Sequence, residues 1–134
     1  MASSKRLKEI GLKVTPQRLA ILEMIKDDRT HPSAEKIYKR ISKKYPGISF
    51  ATVYNTLARL VEAGEIQELD IDPDKKRFDP FPTLHYHFYC KTCGKIYDVE
   101  EYTPLTPTIK NISGHQIETV QFNFKGICKC CIDK

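Results

Sequence analysis

Four side chains of metal-ligand type fall within nine positions of one stretch, "HYHFYCKTCGK" (residues 85–95): His85, His87, Cys90 and Cys93. The alternation in "LHYHFYC" predicts a β-strand, in which successive side chains point to opposite faces. His85, His87 and Tyr89 then share one face and Cys90 points to the other. Cys90 and Cys93, followed by Gly94, form C-x-x-C-G, the shape of a zinc knuckle; two thiolates reach one ion and the glycine permits the tight turn. The stretch is therefore expected to serve two metals, back to back across one strand. A second C-x-x-C, Cys128 and Cys131 in "CKCC", supplies two more thiolates. Four thiolates make a closed tetrahedral zinc site. The long gap between Cys93 and Cys128 means that such a site clips distant parts of the chain together, which is a structural role. Cys130 is left over, either replacing Cys128 or Cys131 or remaining free and oxidisable; Cys128 and Cys131 are the favoured pair.

The elements that must position these groups divide into two kinds. With 134 residues and 40% hydrophobic content, the chain can form one compact domain or two small ones. All five cysteines lie beyond residue 89. The start "MASSKRLKEI" has no apolar signal core and no stretch is long enough to span a membrane. A cytoplasmic protein with reduced thiols is expected, where clustered cysteines favour metal over disulfide. Residues 1–60 hold 13 Lys/Arg against 5 Asp/Glu, a net of +8, whereas residues 61–134 hold 9 against 12, a net of −3. A basic front half points to a polyanionic partner.

The front half reads as helices. "SSKRLKEIG" is a short helix capped by Ser3 or Ser4 and stopped by Gly11. "TPQRLAILEMIKDD" has Thr15 as N-cap and Pro16 in its first turn, with Leu19, Ala20, Ile21, Leu22 and Ile25 on the apolar face. "SAEKIYKRISKKYPG" is capped by Ser33 and ends before Pro46. "SFATVYNTLARLVEAGEI" is capped by Ser49, stopped by Gly64, and turns Val53, Leu57 and Leu60 inward. "IQELDIDPDKKRFD" is a β-hairpin about Asp72-Pro73-Asp74. Helices followed by a basic hairpin are the order of a winged helix-turn-helix. "PFPTL" (80–84) reads as a hinge, and strands follow in "HYHFYC", "KIYDVE" and "HQIETVQFNFKGICKCC", with a helix expected over 103–113. The fold class is α+β: a winged-helix DNA-binding domain at 1–79, the hinge at 80–84, and an α/β domain at 85–134.

A helix-turn-helix places its second helix in the major groove. Here that helix begins near Ser49, and its first turns carry Thr52, Tyr54 and Asn55. Asn can bond an adenine edge in bidentate fashion, Tyr can reach a phosphate or a thymine methyl, and Arg59 is placed for a phosphate. Lys13 and Arg18 complete the expected DNA-contacting set.

The segments "GLKVTPQRLAIL", "HPSAEKIYKRI", "ISFATVYNTLARLVEAGEI", "RFD", "HYHFYCKTCGKIYD" and "GICKCC" stand in an order that resembles the ferric uptake regulator family of bacterial metal-dependent repressors, over about residues 6–131. The resemblance implies a homodimer on double-stranded operator DNA with an inverted repeat. It also implies structural Zn2+ on the two cysteine pairs. A regulatory Fe2+ or Mn2+ is implied on His31, Asp79, His85, His87 and Asp98, tying the DNA-binding half to the rest. Nitrogen and oxygen donors with an open position suit these ions, whereas zinc prefers four ligands and more sulfur.

Three features look like the peroxide-sensing members. Asp98 stands where iron-uptake members more often have Glu. Asn55 stands where those members tend to have Arg. "TVQFNFKG" and "TLHYH" lack histidines found in many relatives. That subgroup implies His31 and His85 as oxidation-sensitive. An iron-responsive repressor without peroxide sensing, or another metal-uptake repressor, is the alternative. A metal enzyme is the competing class, but the chain shows no acid/base pair beyond the ligands and no signal of a small organic substrate, so no enzymatic activity is expected.

Overall fold

A computed structural model of the chain describes residues 3–81, 85–99, 111–118 and 120–133. The chain divides into two compact units, Met1–Pro82 and Thr83–Lys134.

The first unit runs α1 (Ser3–Glu9), α2 (Pro16–Ile25), α3 (Ala34–Lys44), α4 (Phe50–Glu62), β1 (Gln67–Leu69) and β2 (Arg77–Asp79). Its helices begin where short side chains satisfy the free N–H groups of a first turn. Thr15 Oγ1 accepts from the Arg18 N–H at 3.1 Å, Ser33 Oγ from Lys36 at 3.2 Å, and Ser49 Oγ from Thr52 at 3.1 Å. Two helices end on a glycine in the left-handed region. At Gly11 (φ 80°) the Leu12 N–H returns to the Leu7 carbonyl, and at Gly64 (φ 76°) the Glu65 N–H returns to Leu60. In each, the bond from the residue after the glycine satisfies a carbonyl of the last turn. Pro46 disfavours helical geometry at Tyr45, where α3 stops.

The four helices surround a core that includes Leu7, Ile21, Ile37, Ile41, Val53 and Leu57. On α2, Ile21, Leu22 and Ile25 are buried, whereas Leu19 and Ala20 are only partly so. Thr56 is fully buried on α4; its hydroxyl donates to the Thr52 carbonyl at 2.8 Å, so its burial leaves no unmet donor. β1 and β2 pair antiparallel, with Gln67 opposite Asp79 and Leu69 opposite Arg77. The loop between them is held by Asp72, whose carboxylate accepts from the Asp74 N–H and from Arg77 Nη1, each at 2.9 Å.

In the second unit, β3 (Tyr86–Cys90) is the centre of a three-stranded sheet in the order β4-β3-β7, antiparallel to β4 (Ile96–Val99) and parallel to β7 (Asn123–Gly126). Gly126 lies against Phe88, and a Cβ there would come within 3.4 Å of its ring. β5 (Asn111–Ile112) and β6 (His115–Gln116) form a separate two-stranded hairpin. The helix expected over 103–113 is corrected at its end. Residues 111–112 are strand because Ser113 (φ 51°) and Gly114 (φ 84°) close a two-residue hairpin turn. Residues 103–110 lie outside the described residues, as do 82–84 of the proline-rich segment and the side chains of Ser3 and Ser4. Among the described residues, no helix is long and apolar enough to cross a membrane.

The wing loop carries a pH dependence. Burial pushes the Asp72 carboxyl up, but the Asp74 N–H and the Arg77 guanidinium outweigh it and hold the group below its ordinary 3.8. A carboxyl depressed in the folded state stabilises above its unfolded value, and that contribution is lost as pH falls through the folded value. Urea titrations of wild type and Asp72→Asn should differ in midpoint at neutral pH, and the gap should close progressively as the pH is lowered below 3.8.

Candidate metal centres and nucleic-acid interface

The end of β3 delivers Cys90 and the turn after it delivers Cys93. The Cys93 N–H lies 3.4 Å from Cys90 Sγ, and the Gly94 N–H bonds the Cys90 carbonyl at 2.8 Å. Just beyond β7, the Cys128 N–H also points at Cys90 Sγ, at 3.3 Å, and the Cys131 N–H closes a turn on the Cys128 carbonyl. The four sulfurs of Cys90, Cys93, Cys128 and Cys131 lie within 4.8 Å of one another, and Cys93 Sγ is 3.8 Å from Cys128 Sγ. Sulfurs on a tetrahedral zinc with bonds of ~2.3 Å stand about 3.8 Å apart, so this donor set fits the ion. Cys130 is exposed and outside the group.

Burial pushes the Cys90 thiol up, yet the backbone N–H groups of Cys128, Cys93 and Thr92 bring it down to about 6. Cys128 is lowered first by the hydroxyl of Tyr97, which bonds its sulfur. Cys131 is pushed up to about 12, chiefly because its proton is shared with the Cys128 sulfur. Four thiols this close cannot all ionise alone, and a dication among them removes that conflict.

The second unit also gathers His85, His87 and Asp98. The register sets His87 directly opposite Asp98 across β3 and β4. His85 Nε2 lies 3.2 Å and His87 Nε2 3.5 Å from the same oxygen, Asp98 Oδ1. The two imidazole rings have centroids 4.3 Å apart. His87 is buried at 2% exposure.

The first unit brings together His31 and Asp79. Their Nε2 and Oδ2 atoms are 3.5 Å apart and both side chains are almost wholly buried. His31 adopts φ 55°, in the left-handed region, ahead of α3. Its carbonyl accepts from Arg77 Nε, while the Phe78 N–H bonds the Pro32 carbonyl at 2.9 Å. These bonds hold the segment before α3 alongside β2 and so set His31 beside Asp79. Gln67 stands over the same carboxylate, its Nε2 3.4 Å from Asp79 Oδ2 and 2.9 Å from the Phe81 carbonyl.

On α4, Asn55 and Tyr54 are exposed, and Ser49 and Thr52 share a hydroxyl contact at 2.9 Å. Ser49 thus spends its oxygen on the cap. Arg59 Nη2 donates to the Ile10 carbonyl at 2.7 Å and its Nε faces Glu62 at 4.0 Å, so this arginine ties α4 to the end of α1. Arg18 Nη1, from the first turn of α2, donates to the Lys13 carbonyl at 2.9 Å and so ties the helix start to the segment before it. The sequence reading passed over Tyr97 and Gln67. Gln67 could have been found by pairing the hairpin strands in register, whereas nothing local marks Tyr97 as a partner of Cys128.

The chain belongs to the ferric uptake regulator family, whose model matches residues 9–126. It is 38% identical over 133 residues to the peroxide operon regulator of Bacillus subtilis, a match covering 96% of this chain and 90% of that one. It is 36% identical over 132 residues to the peroxide-responsive repressor PerR of Staphylococcus aureus, covering 96% and 88%. Among solved structures, the Campylobacter jejuni peroxide stress regulator matches with a TM-score of 0.66 at 30% identity, covering 98% of this chain and all of that one.

Replacing Cys93 with Ser should release zinc and destabilise the dimer, read by metal analysis and sedimentation. Tyr97→Phe keeps all four thiolates and removes only the hydroxyl bond to Cys128. Supporting groups of this kind typically contribute 10–100-fold in metal affinity, so competition with a chelator should show weaker zinc retention by about that factor.

Proposed function

We propose that the chain is a metal-dependent transcriptional repressor that binds operator DNA as a homodimer and is inactivated by peroxide. The observation that carries this reading is the segregation of donors. Four cysteine sulfurs form one cluster, while His85 and His87 converge with a carboxylate on the other side of the same strand. The thiolate cluster takes structural Zn2+. The imidazole and carboxylate donors, His31 and Asp79 of the first unit with His85, His87 and Asp98 of the second, take Fe2+ or Mn2+.

Metal promotes repression to the extent that it favours the DNA-competent arrangement over others. Bound Fe2+ supplies the reduction of peroxide, which Mn2+ supports poorly. Imidazole carbon is attacked more readily than a carboxylate, and among the three imidazoles the resemblance to the peroxide-sensing subgroup points to His31 and His85 as the residues that would take up oxygen. An oxidised imidazole is a poorer and differently shaped ligand. Losing His31 removes the first unit's only imidazole donor and with it the bias toward DNA binding. The relatives are named as regulators and repressors, and an inverted-repeat operator, mirroring the two-fold axis of a dimer, accords with this role. The reduced thiols of such a protein belong in the cytoplasm.

The test compares the Fe2+ and Mn2+ forms after a brief peroxide pulse, by peptide mass spectrometry and gel shift on the same samples. One added oxygen on the His31 or His85 peptide should accompany DNA release with iron and not with manganese. Release that tracked cysteine oxidation and zinc loss, with both histidines intact, would overturn the histidine-centred mechanism. Iron-loaded protein that stayed on DNA unmodified would favour an iron-responsive repressor instead.

A separate measurement concerns base reading. Asn55→Ala should cost roughly 1–3 kcal/mol on the cognate operator and much less on random DNA, as expected for loss of a bidentate base contact.

A further inference from the structure

The exposed side of α4 carries Arg59 and Glu62 toward its end and large rings toward its start. Phe50, Ala51, Tyr54, Asn55 and Ala58 are exposed and follow helical spacing, whereas Val53, Thr56 and Leu57 on the opposite side are buried. Among the described residues of the first unit, Phe50 and Tyr54 are the exposed large hydrophobics, each at 40%. They are also ordered by one another. The Phe50 ring lies edge-on to Tyr38, with centroids 5.7 Å apart, and Tyr54 tilts against Phe50 at 6.1 Å. A phenylalanine at the first position of a helix, braced from two sides and left open to solvent, contributes little to the core.

The surroundings indicate what meets it. α3, which carries Tyr38, bears Lys36, Lys39, Lys43 and Lys44, and residues 1–60 carry a net charge of +8. An apolar patch within a basic field fits an occupant that is anionic around an apolar spot. In the major groove, thymine alone offers such a spot, its C5-methyl group, between phosphate walls. Resting on the reading of α4 as the DNA-recognition helix, we propose that Phe50 is a specificity-determining residue that reads thymine methyl groups by apolar contact. Ala51 leaves room for the helix to lie close to the base edges, and Asn55 supplies the hydrogen-bonded contact beside it. A helix with one good bidentate reader and an aromatic shelf discriminates mainly by shape and methyl burial. Operator specificity in this protein is then concentrated at thymines under the start of α4.

The experiment uses the full-length, zinc-replete, Mn2+-loaded protein. Duplexes are selected from a random library, and the recovered site is remade with deoxyuridine replacing each thymine in turn, which removes only the methyl group. At the positions under Phe50, wild-type affinity should fall about 4-fold per methyl, the value of one buried carbon. Phe50→Ala should bind the thymine site more weakly and show no further loss on deoxyuridine, whereas Phe50→Leu should keep part of the discrimination. Phe50 is exposed, so circular dichroism should find both variants folded. Wild type indifferent to every deoxyuridine, or Phe50→Ala retaining the full thymine preference, would overturn this inference alone. No enrichment of any duplex by the wild type would overturn it together with the repressor reading.

Discussion

The register of β3 is the constraint on which both donor sets of the second unit depend. Side chains alternate along a strand, so a slip of one residue exchanges its two faces. In the observed register His87 faces Asp98 across one neighbour, and Cys90 lies opposite Gly126 on the other. A slip would turn His87 away from Asp98 and carry Cys90 away from the N–H group of Cys128. The Phe88 ring packs against Gly126, where an added Cβ would meet it at 3.4 Å, an ordinary contact distance. The nitrogen and oxygen donors and the sulfur donors are thus kept apart by the pleat of a single strand.

That separation has a chemical consequence. Thiolates near nitrogen and oxygen donors would draw zinc to the wrong place, because soft ligands select it. Here the sulfurs are closed among themselves, supported by backbone N–H groups and by the Tyr97 hydroxyl. Tyr97 is the chain neighbour of Asp98, so β4 supports a thiolate with one residue and meets both histidines with the next. Disturbing the cysteine cluster should therefore be felt at Asp98 through a strand held on its paired edge by β3.

In the first unit the equivalent work is done by bonds that span the chain. Arg77 reaches the His31 carbonyl, and the wing strand pairs with the segment before α3. The buried His31–Asp79 pair follows from that alignment rather than from any helix. Arg59 joins α4 to the end of α1, close against Gly11, where an added Cβ would meet its guanidinium at 3.1 Å. α4 is oriented by this bond and by its apolar face. Its open face is left to Asn55, Tyr54 and Phe50.

Much of this was legible in the sequence because it is local. The caps at Thr15, Ser33 and Ser49 bond an N–H three residues on, and the stops at Gly11 and Gly64 depend on one residue's freedom at positive φ. The alternation of "HYHFYC" and the C-x-x-C spacings likewise need only short-range geometry, and from them come the helices, the hairpin and the division of donors between two faces. The tertiary structure alone decided which distant partners meet. Arg59 finds a carbonyl 49 residues away, Gln67 and His31 converge on Asp79, Tyr97 bonds Cys128, and Cys130 is left outside the cluster that its neighbours complete. Residues 111–112 became strand because Ser113 and Gly114 together adopt positive φ, which neither residue type demands by itself. The reason is physical: a bond closed within four residues is determined by their types and spacing, whereas one closed across the chain depends on every packing choice between its ends.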